Sequence, residues 1–458
     1  MPLYETIPIA RNYNSSVTPV DPVCPVCSRE ARGEFVPLSA LDSELAGLIR
    51  ANAPDKQSVD AACARCVGLF ERAKEQIIAD AAVLKDGSHV LSTPLRLDAD
   101  DRFTGRGVTI AFLDSGFYPH VDLTTPKNRI VAYHSLVEPD GSLESLFQPD
   151  VASWHGMMTS VVAAGNGSLS NGFYRGLAPD ADVVLVKLAK TGRISEANIF
   201  AGLTYVLENR ERFGIRVVNI SAGGDFETSY LGDPLSEMVE ECARHGITIV
   251  CAVGNAGHLS THPVFPPASA PSAIAVGGLD DQNSLNRARR GMYRSSYGPT
   301  VDGLQKPEVI APSIWVPAPI LPNTPTAQQA KLLKELDEAA DDQLHAIVRE
   351  NAGVDAELDA ALDRPVHSIR QIITLKLHRE NVITEHYKYV DGTSFSAPIV
   401  SSLVAQLLEA NPALTPQQIK RILIDTSERL PYYEVDRQGW GVIEARKAVE
   451  MALAITAE

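Results

Sequence analysis

Neither a membrane span nor a secretory signal is expected of this chain. No apolar run approaches the roughly 18 residues of a bilayer-spanning helix. The first stretch, Met1 to Val20, is polar and broken by Pro2, Pro8 and Pro19, without a basic start followed by an apolar core. These absences favour a cytoplasmic location and argue against a membrane partner. Positive charge is also short: 41 Lys and Arg stand against 57 Asp and Glu, for a net charge of −16. Nucleic acid is therefore not expected as a partner, because that binding rests on Lys and Arg neutralising phosphates. Cysteine is scarce, with 6 in 458 residues. In a reducing compartment these read as thiols or metal ligands before disulfides. What is present, an apolar content of 45% and a charged fraction of 21%, is the composition of a globular protein. The length suits one large domain with additions, or a few ordinary ones.

Four of the cysteines fall in residues 1–95, as Cys24-Pro25-Val26-Cys27 and Cys63-Ala64-Arg65-Cys66. Each short turn can aim two thiolates at one ion, which suits tetrahedral zinc. The alternatives are four unrelated buried thiols or a redox-active pair. Four thiolates leave no open coordination position, so such a zinc is structural, and a small module with few large apolar residues benefits from the staple. Helices are expected over Leu38–Ala51 and Val67–Leu84. Cys242 and Cys251 lie elsewhere and read as buried packing.

From Thr104 the texture changes. Val108–Leu113, Val183–Leu188, Val217–Ile220, Ile247–Val253 and Ala273–Val276 are nearly continuous apolar runs, as strands buried on both faces of a parallel sheet are. Helical stretches alternate with them: Gly156–Ala164, Ser195–Glu211 and Pro234–His245. The alternation predicts a doubly wound α/β domain, with chemistry beyond the carboxyl ends of the strands. Asp114 ends the first strand, His155 opens a helix, and Ser394 stands before the apolar run Ile399–Leu408. Each has a bland reading as turn former, helix-start histidine or N-cap. The order Asp, His, Ser is nonetheless one of the known chain orders of a nucleophile–base–orienter triad.

Val108-Thr109-Ile110-Ala111-Phe112-Leu113-Asp114-Ser115-Gly116, followed by His120 and Asp122-Leu123, resembles the aspartate motif of the subtilisin-like serine proteases. Gly392-Thr393-Ser394-Phe395-Ser396-Ala397-Pro398 is similar to their serine motif. Further landmarks follow in the family's order: Val218 to Gly224, Ala252 to Gly257, Phe265-Pro266-Pro267, Tyr297-Gly298-Pro299, Lys306 to Pro312 and Gly439-Trp440-Gly441. The likeness covers roughly residues 100–317 and 389–450. It implies a subtilisin-like, mostly parallel sheet flanked by helices, with a catalytic triad of Asp114, His155 and Ser394. It further implies an oxyanion-hole donor at Asn255, and an edge at Ser221, Ala222 and Gly223 that pairs with an extended protein or peptide substrate. Ala252, Val253 and Gly254 would line the pocket before the cleaved bond. Val264 near its floor points to small or medium apolar side chains. One departure stands out: the family's Gly-Thr-His after the histidine is replaced by Gly156-Met157-Met158.

The resemblance implies a serine endopeptidase; the polar first stretch and the extra modules add the expectation that it is intracellular and acts on restricted protein substrates. The alternative is an inactive subtilase-fold module that binds peptides. Calcium is a common family cofactor, but Asn166-Gly167-Ser168-Leu169-Ser170-Asn171-Gly172 matches such a site poorly. The expected organisation is a zinc-binding module over 1–95 and a peptidase domain over 96–455, interrupted at 318–388 by a helical insertion. Thr326–Glu350 in that insertion reads as one amphipathic helix, and Ala356–Leu362 and His367–Leu377 continue the helical character. The insertion is either surface decoration or a lid or platform. A regulatory partner is expected at the N-terminal module or the insertion. The N-terminal module is expected to be retained, against the alternative of an inhibitory segment that is removed.

Overall fold

A computed structural model describes residues 23–29, 31, 35–54, 59–80, 90–138, 143–147, 150–191 and 193–455. Two compact units are distinguished, divided between Glu71 and Arg72.

In the first unit, strands β1 (Phe35–Pro37) and β2 (Ala61–Cys63) pair antiparallel, Phe35 opposite Cys63. The expected helix over Leu38–Ala51 is divided. A 3₁₀ turn covers Leu38–Ala40, and an α-helix runs over Ser43–Ala51. The cause is Asp42, whose carboxylate accepts the Glu44 and Leu45 N–H groups as an N-cap and so fixes a new start. Leu38, Leu45, Ile49 and Phe70 form its small apolar interior. The next helix, Ala64–Asp80, takes Cys66 into its first turn. The expected end of that helix at Leu84 lies outside the described residues.

The second unit is built on a sheet whose strands are β3 (Thr109–Asp114), β4 (Ile130–Ser135), β5 (Asp182–Lys187), β6 (Ile215–Ile220), β7 (Thr248–Ala252), β8 (Ile274–Asp280), β9 (Gly291–Met292) and β10 (Val309–Pro312). The order is β10-β8-β7-β6-β3-β5-β4, all parallel, with β9 added antiparallel to β8. Every residue of β3 is buried because helices cover both faces. One face packs against helices Ser153–Ala164, Thr393–Ala410 and Ala445–Ala454, the other against Glu196–Phe213 and Pro234–Arg244. From β3 the chain crosses to the edge strand β4, comes back to lay β5 between the two, then passes to the other side of β3 with β6 and continues to β10. The crevice beyond the carboxyl ends of β3 and β6 is therefore the topological switch point, where ligands of such sheets bind.

Beyond the sheet, β11 (Val316–Pro319) and β12 (Tyr387–Val390) form an antiparallel pair, with Val316 opposite Val390. The helices between them pack around their own core, which includes Ile320, Leu333, Leu336, Leu344, Leu358, Ile369 and Ile373. The expected single helix over Thr326–Glu350 is two, Pro325–Glu338 and Leu344–Glu350. Arg370 from the helix Val366–Arg379 causes the break. Its guanidinium donates to the carbonyls of Leu336 at 2.7 Å and of Ala339, and its Nε reaches Asp341 at 2.7 Å. Those carbonyls are the orphan acceptors of a helix end, and amphipathic spacing cannot reveal a partner so distant in sequence.

Candidate active site

Asp114, at the carboxyl end of β3, is 1% exposed. Its Oδ1 accepts the Ser115 N–H at 2.7 Å and the His155 Nδ1–H at 2.7 Å, while its Oδ2 accepts the Thr159 hydroxyl at 3.2 Å. A carboxylate only accepts, so the proton of a neutral His155 sits on Nδ1 and leaves Nε2 as the basic atom. The helix carrying His155 starts at Ser153, earlier than expected, which places the imidazole in its first turn. Its approach to the Asp114 turn depends on Gly156. A Cβ there would lie 2.1 Å from the Gly116 carbonyl oxygen and 2.7 Å from the Phe117 ring. Burial of His155 disfavours its charge, but the Asp114 charge and hydrogen bond outweigh it and raise the imidazole above its ordinary 6.5.

Ser394 is the second residue of the helix Thr393–Ala410. The following side chain, Phe395, holds its ring 5.9 Å from that of His155. Pro398 lies inside this helix and has no N–H for the carbonyl four residues back, which is that of Ser394. The Ser221 hydroxyl donates to that carbonyl instead, at 2.9 Å. Ser221 in turn accepts from Asn219 Nδ2 at 3.1 Å, and Asn219 Oδ1 accepts from Ser401 in the same helix at 3.1 Å. The helix start is thus tied to the end of β6.

Asn255 follows β7. Its Oδ1 accepts both the N–H of Thr393 at 3.0 Å and its hydroxyl at 3.1 Å, which fixes the amide orientation and leaves Nδ2 as the outward donor. Gly392, at φ +127°, borders the same space. A Cβ on it would stand 3.7 Å from Asn255 Nδ2 and 3.8 Å from the Ser394 nitrogen. Two N–H donors therefore converge on a gap kept open by a glycine.

Ser221, Ala222 and Gly223 continue from β6 along a groove of about 380 Å³ that also contains Asp114, Trp154, His155 and Ile194. The segment is anchored where the Gly224 N–H donates to the Pro266 carbonyl at 2.7 Å. Ala252 ends β7. The Val253 N–H is used on Val276 at 3.1 Å, and the Gly254 carbonyl accepts from Ser296 at 2.9 Å. Val264 is 2% exposed, and its N–H donates to the Glu227 carboxylate at 3.2 Å. That carboxylate gave no sequence signal, nor did Thr159 or Trp154. Ser221 was expected only as a substrate edge, and the visible sign of its second task is Pro398, four residues after Ser394. Met157 and Met158, the departure from the family pattern, are both buried behind His155.

In the first unit the sulfurs of Cys24, Cys27, Cys63 and Cys66 all lie within 4.8 Å of one another, and none is in a disulfide. Cys24 and Cys66 Sγ are 3.9 Å apart, and the Cys63 N–H points at Cys24 Sγ from 3.4 Å. A tetrahedral ion with metal–sulfur bonds of about 2.3 Å separates its sulfurs by about 3.8 Å, so this donor set fits one. It is the only such group of His, Cys, Asp or Glu among the described residues. In the 166–172 loop Asn166 Oδ1 accepts the Ser168 N–H at 3.1 Å and the Ser168 hydroxyl at 2.7 Å. Cys242 and Cys251 are fully buried, and burial pushes both thiols up to about 12.

Residues 105–441 match the subtilase family, Peptidase_S8. Serine protease AprX of Bacillus subtilis is 28% identical over 353 residues, covering 76% of this chain and 67% of that protein. The Major intracellular serine protease of the same species is 28% identical over 217 residues, covering 46% of this chain and 62% of that one. Among solved structures, the Prenylagaramide maturation protease PagA aligns over 79% of this chain and 97% of its own, at 19% identity and a TM-score of 0.48. No described helix is long and apolar enough to cross a membrane. By the extent of the family match, this chain belongs to the subtilases.

Proposed function

We propose that the protein is a serine endopeptidase that cleaves protein substrates through Asp114, His155 and Ser394. The observation that carries this reading is the 2.7 Å bond between His155 Nδ1 and a buried Asp114, with the His155 ring 5.9 Å from that of Phe395, the residue after Ser394. In the reaction, His155 Nε2 takes the proton of Ser394 as its oxygen attacks the scissile carbonyl carbon. Asp114 holds the tautomer and stabilises the imidazolium that forms. The oxyanion sits between Asn255 Nδ2 and the Ser394 N–H, donors fixed before the reaction begins. Collapse breaks the C–N bond, and His155 returns its proton to the leaving amine. Water then attacks the acyl-enzyme by the same route. The acyl side of the substrate adds as a strand along Ser221–Gly223, and its last side chain enters between Ala252–Gly254 and Val264.

A structural zinc on Cys24, Cys27, Cys63 and Cys66 completes this reading. It supplies cross-linking in a small unit and no chemistry. We place it inside the cell with restricted substrates, a reading supported by the likeness to a protein named for intracellular proteolysis. The N-terminal module and the insertion are the candidate docking sites for a regulatory partner.

The test is cleavage of a peptide library by the purified full chain, with Ser394→Ala as control. Cleavage by the wild type alone, after small or medium apolar residues, supports the reading. A correctly folded wild type that cuts nothing in the library favours the inactive peptide-binding module instead.

A further inference from the structure

A second cavity, of about 630 Å³, shares Trp154 with the groove described above but none of the Ser221–Gly223 segment. Its walls come from two sources. Trp154 and Met158 belong to the helix of His155, one residue before it and three after. Ile320, Leu321 and Lys388 belong to the insertion and the strand that ends it, and Val390 leads through Asp391 and Gly392 into Ser394. The Trp154 ring packs edge-on against the His155 ring at 5.2 Å, so one indole borders the base and both cavities. The volume lies within the ~300–1,000 Å³ of ligand clefts.

We infer that this cavity receives the leaving-group side of the substrate: a bulky apolar side chain shortly after the scissile bond, accompanied by a carboxylate set against Lys388. This rests on the peptidase reading and extends it to substrate class. The acyl side is already placed by the Ser221–Gly223 edge and by the two oxyanion donors. The chain beyond the cleaved bond must therefore pass His155, which protonates its new amine, and leave along the Trp154–Met158 face. Two side chains support the chemistry. Asp150, also in the wall, is held by Lys187 at 2.7 Å, a cation it shares with Glu138 at 2.6 Å, so its charge is partly offset. Lys388 makes no ion pair among the described residues, and it is half-buried. Burial lowers its affinity for a proton, with only partial relief from Glu380, and an incoming carboxylate supplies the missing counter-charge. Met158, one of the two residues that depart from the family pattern, is then part of the cavity wall, where a flexible thioether fits varied apolar partners.

The experiment compares internally quenched peptides that share one acyl half and differ after the bond. Active enzyme is counted by fluorophosphonate labelling of Ser394. The wild type should cleave peptides with Phe or Leu in the leaving half about tenfold or more faster, in kcat/KM, than the Gly counterpart. It should also prefer a neighbouring Glu to Lys, and Lys388→Glu should reverse that second preference while labelling is retained. Labelled wild-type enzyme that treats all leaving halves alike overturns the cavity assignment and leaves the peptidase reading intact. Wild type that neither labels nor cleaves overturns both. The wild-type substrate series decides the matter even if Lys388→Glu does not fold.

Discussion

The Ser221 hydroxyl donates to the Ser394 carbonyl at 2.9 Å, standing in for the N–H that Pro398 lacks. The proposed substrate-binding edge and the start of the helix that carries the proposed nucleophile are thereby one hydrogen-bonded piece. A proline that would ordinarily disrupt a helix interior is accommodated because an acceptor freed on one element is satisfied from another. Ser221→Ala should cost about 1–2 kcal/mol by stranding this carbonyl, read as a lowered denaturation midpoint. Pro398→Ala restores a backbone donor, so the cost of Ser221→Ala should shrink in that background by roughly 0.5 kcal/mol or more. Strict additivity in the double-mutant cycle would show that the two are not linked.

Asn255 uses its oxygen on Thr393, and its nitrogen is the proposed oxyanion donor. Asn255→Ala should lower kcat by about 10²–10³ with little change in KM, because the donor acts on charge that develops only in the transition state. Asn255→Asp keeps an acceptor for Thr393 but loses the donor, and it should be comparably slow. An active Asn255→Asp enzyme would remove Asn255 from the oxyanion site.

The pH dependence follows from His155. Burial opposes the imidazolium, yet the Asp114 charge and hydrogen bond prevail and raise the group above 6.5. Only the neutral imidazole can accept the Ser394 proton, so kcat/KM should climb with pH through a midpoint above 6.5. The sign for stability is opposite: the His155–Asp114 pair contributes fully below the unfolded-state value and loses that contribution as pH rises through the raised one. In Asp114→Asn burial remains and the charge is gone. The midpoint should fall, and kcat should drop by about 10⁴. An unchanged midpoint in Asp114→Asn would contradict this assignment.

The first unit should bind about one zinc per chain, measured by elemental analysis and lost in the Cys24→Ser, Cys63→Ser double variant. Chelation should raise hydrogen exchange across β1, β2 and the Ser43–Ala51 helix. Stoichiometric zinc retained by the double variant would place the ion elsewhere.

Much of this site was legible because its signals are local. The apolar run ending in Asp114, the glycine beside His155, and Gly392 before Ser394 each encode a strand end, a close approach or an open gap within a few residues. The parallel sheet was legible for the same reason: strands such as β5 and β6 are apolar on both faces and advertise their burial. What escaped depends on partners distant in sequence. Arg370 ends a helix more than thirty residues upstream, Ser221 serves a carbonyl on another element, and Trp154 lines two cavities whose other walls come from distant parts of the chain. The amphipathic pattern of the insertion correctly announced helices, but not that they would enclose a core of their own and wall a cavity beside the nucleophile.

Covalent labelling of Ser394 tests the central assignment most directly. The full-length protein is treated with a fluorophosphonate probe and the modified peptide is identified by mass spectrometry. A single adduct on Ser394, abolished in Ser394→Ala and strongly slowed in Asp114→Asn, is the predicted result. Folded wild-type protein without an adduct, or an adduct that persists in Ser394→Ala, would contradict it.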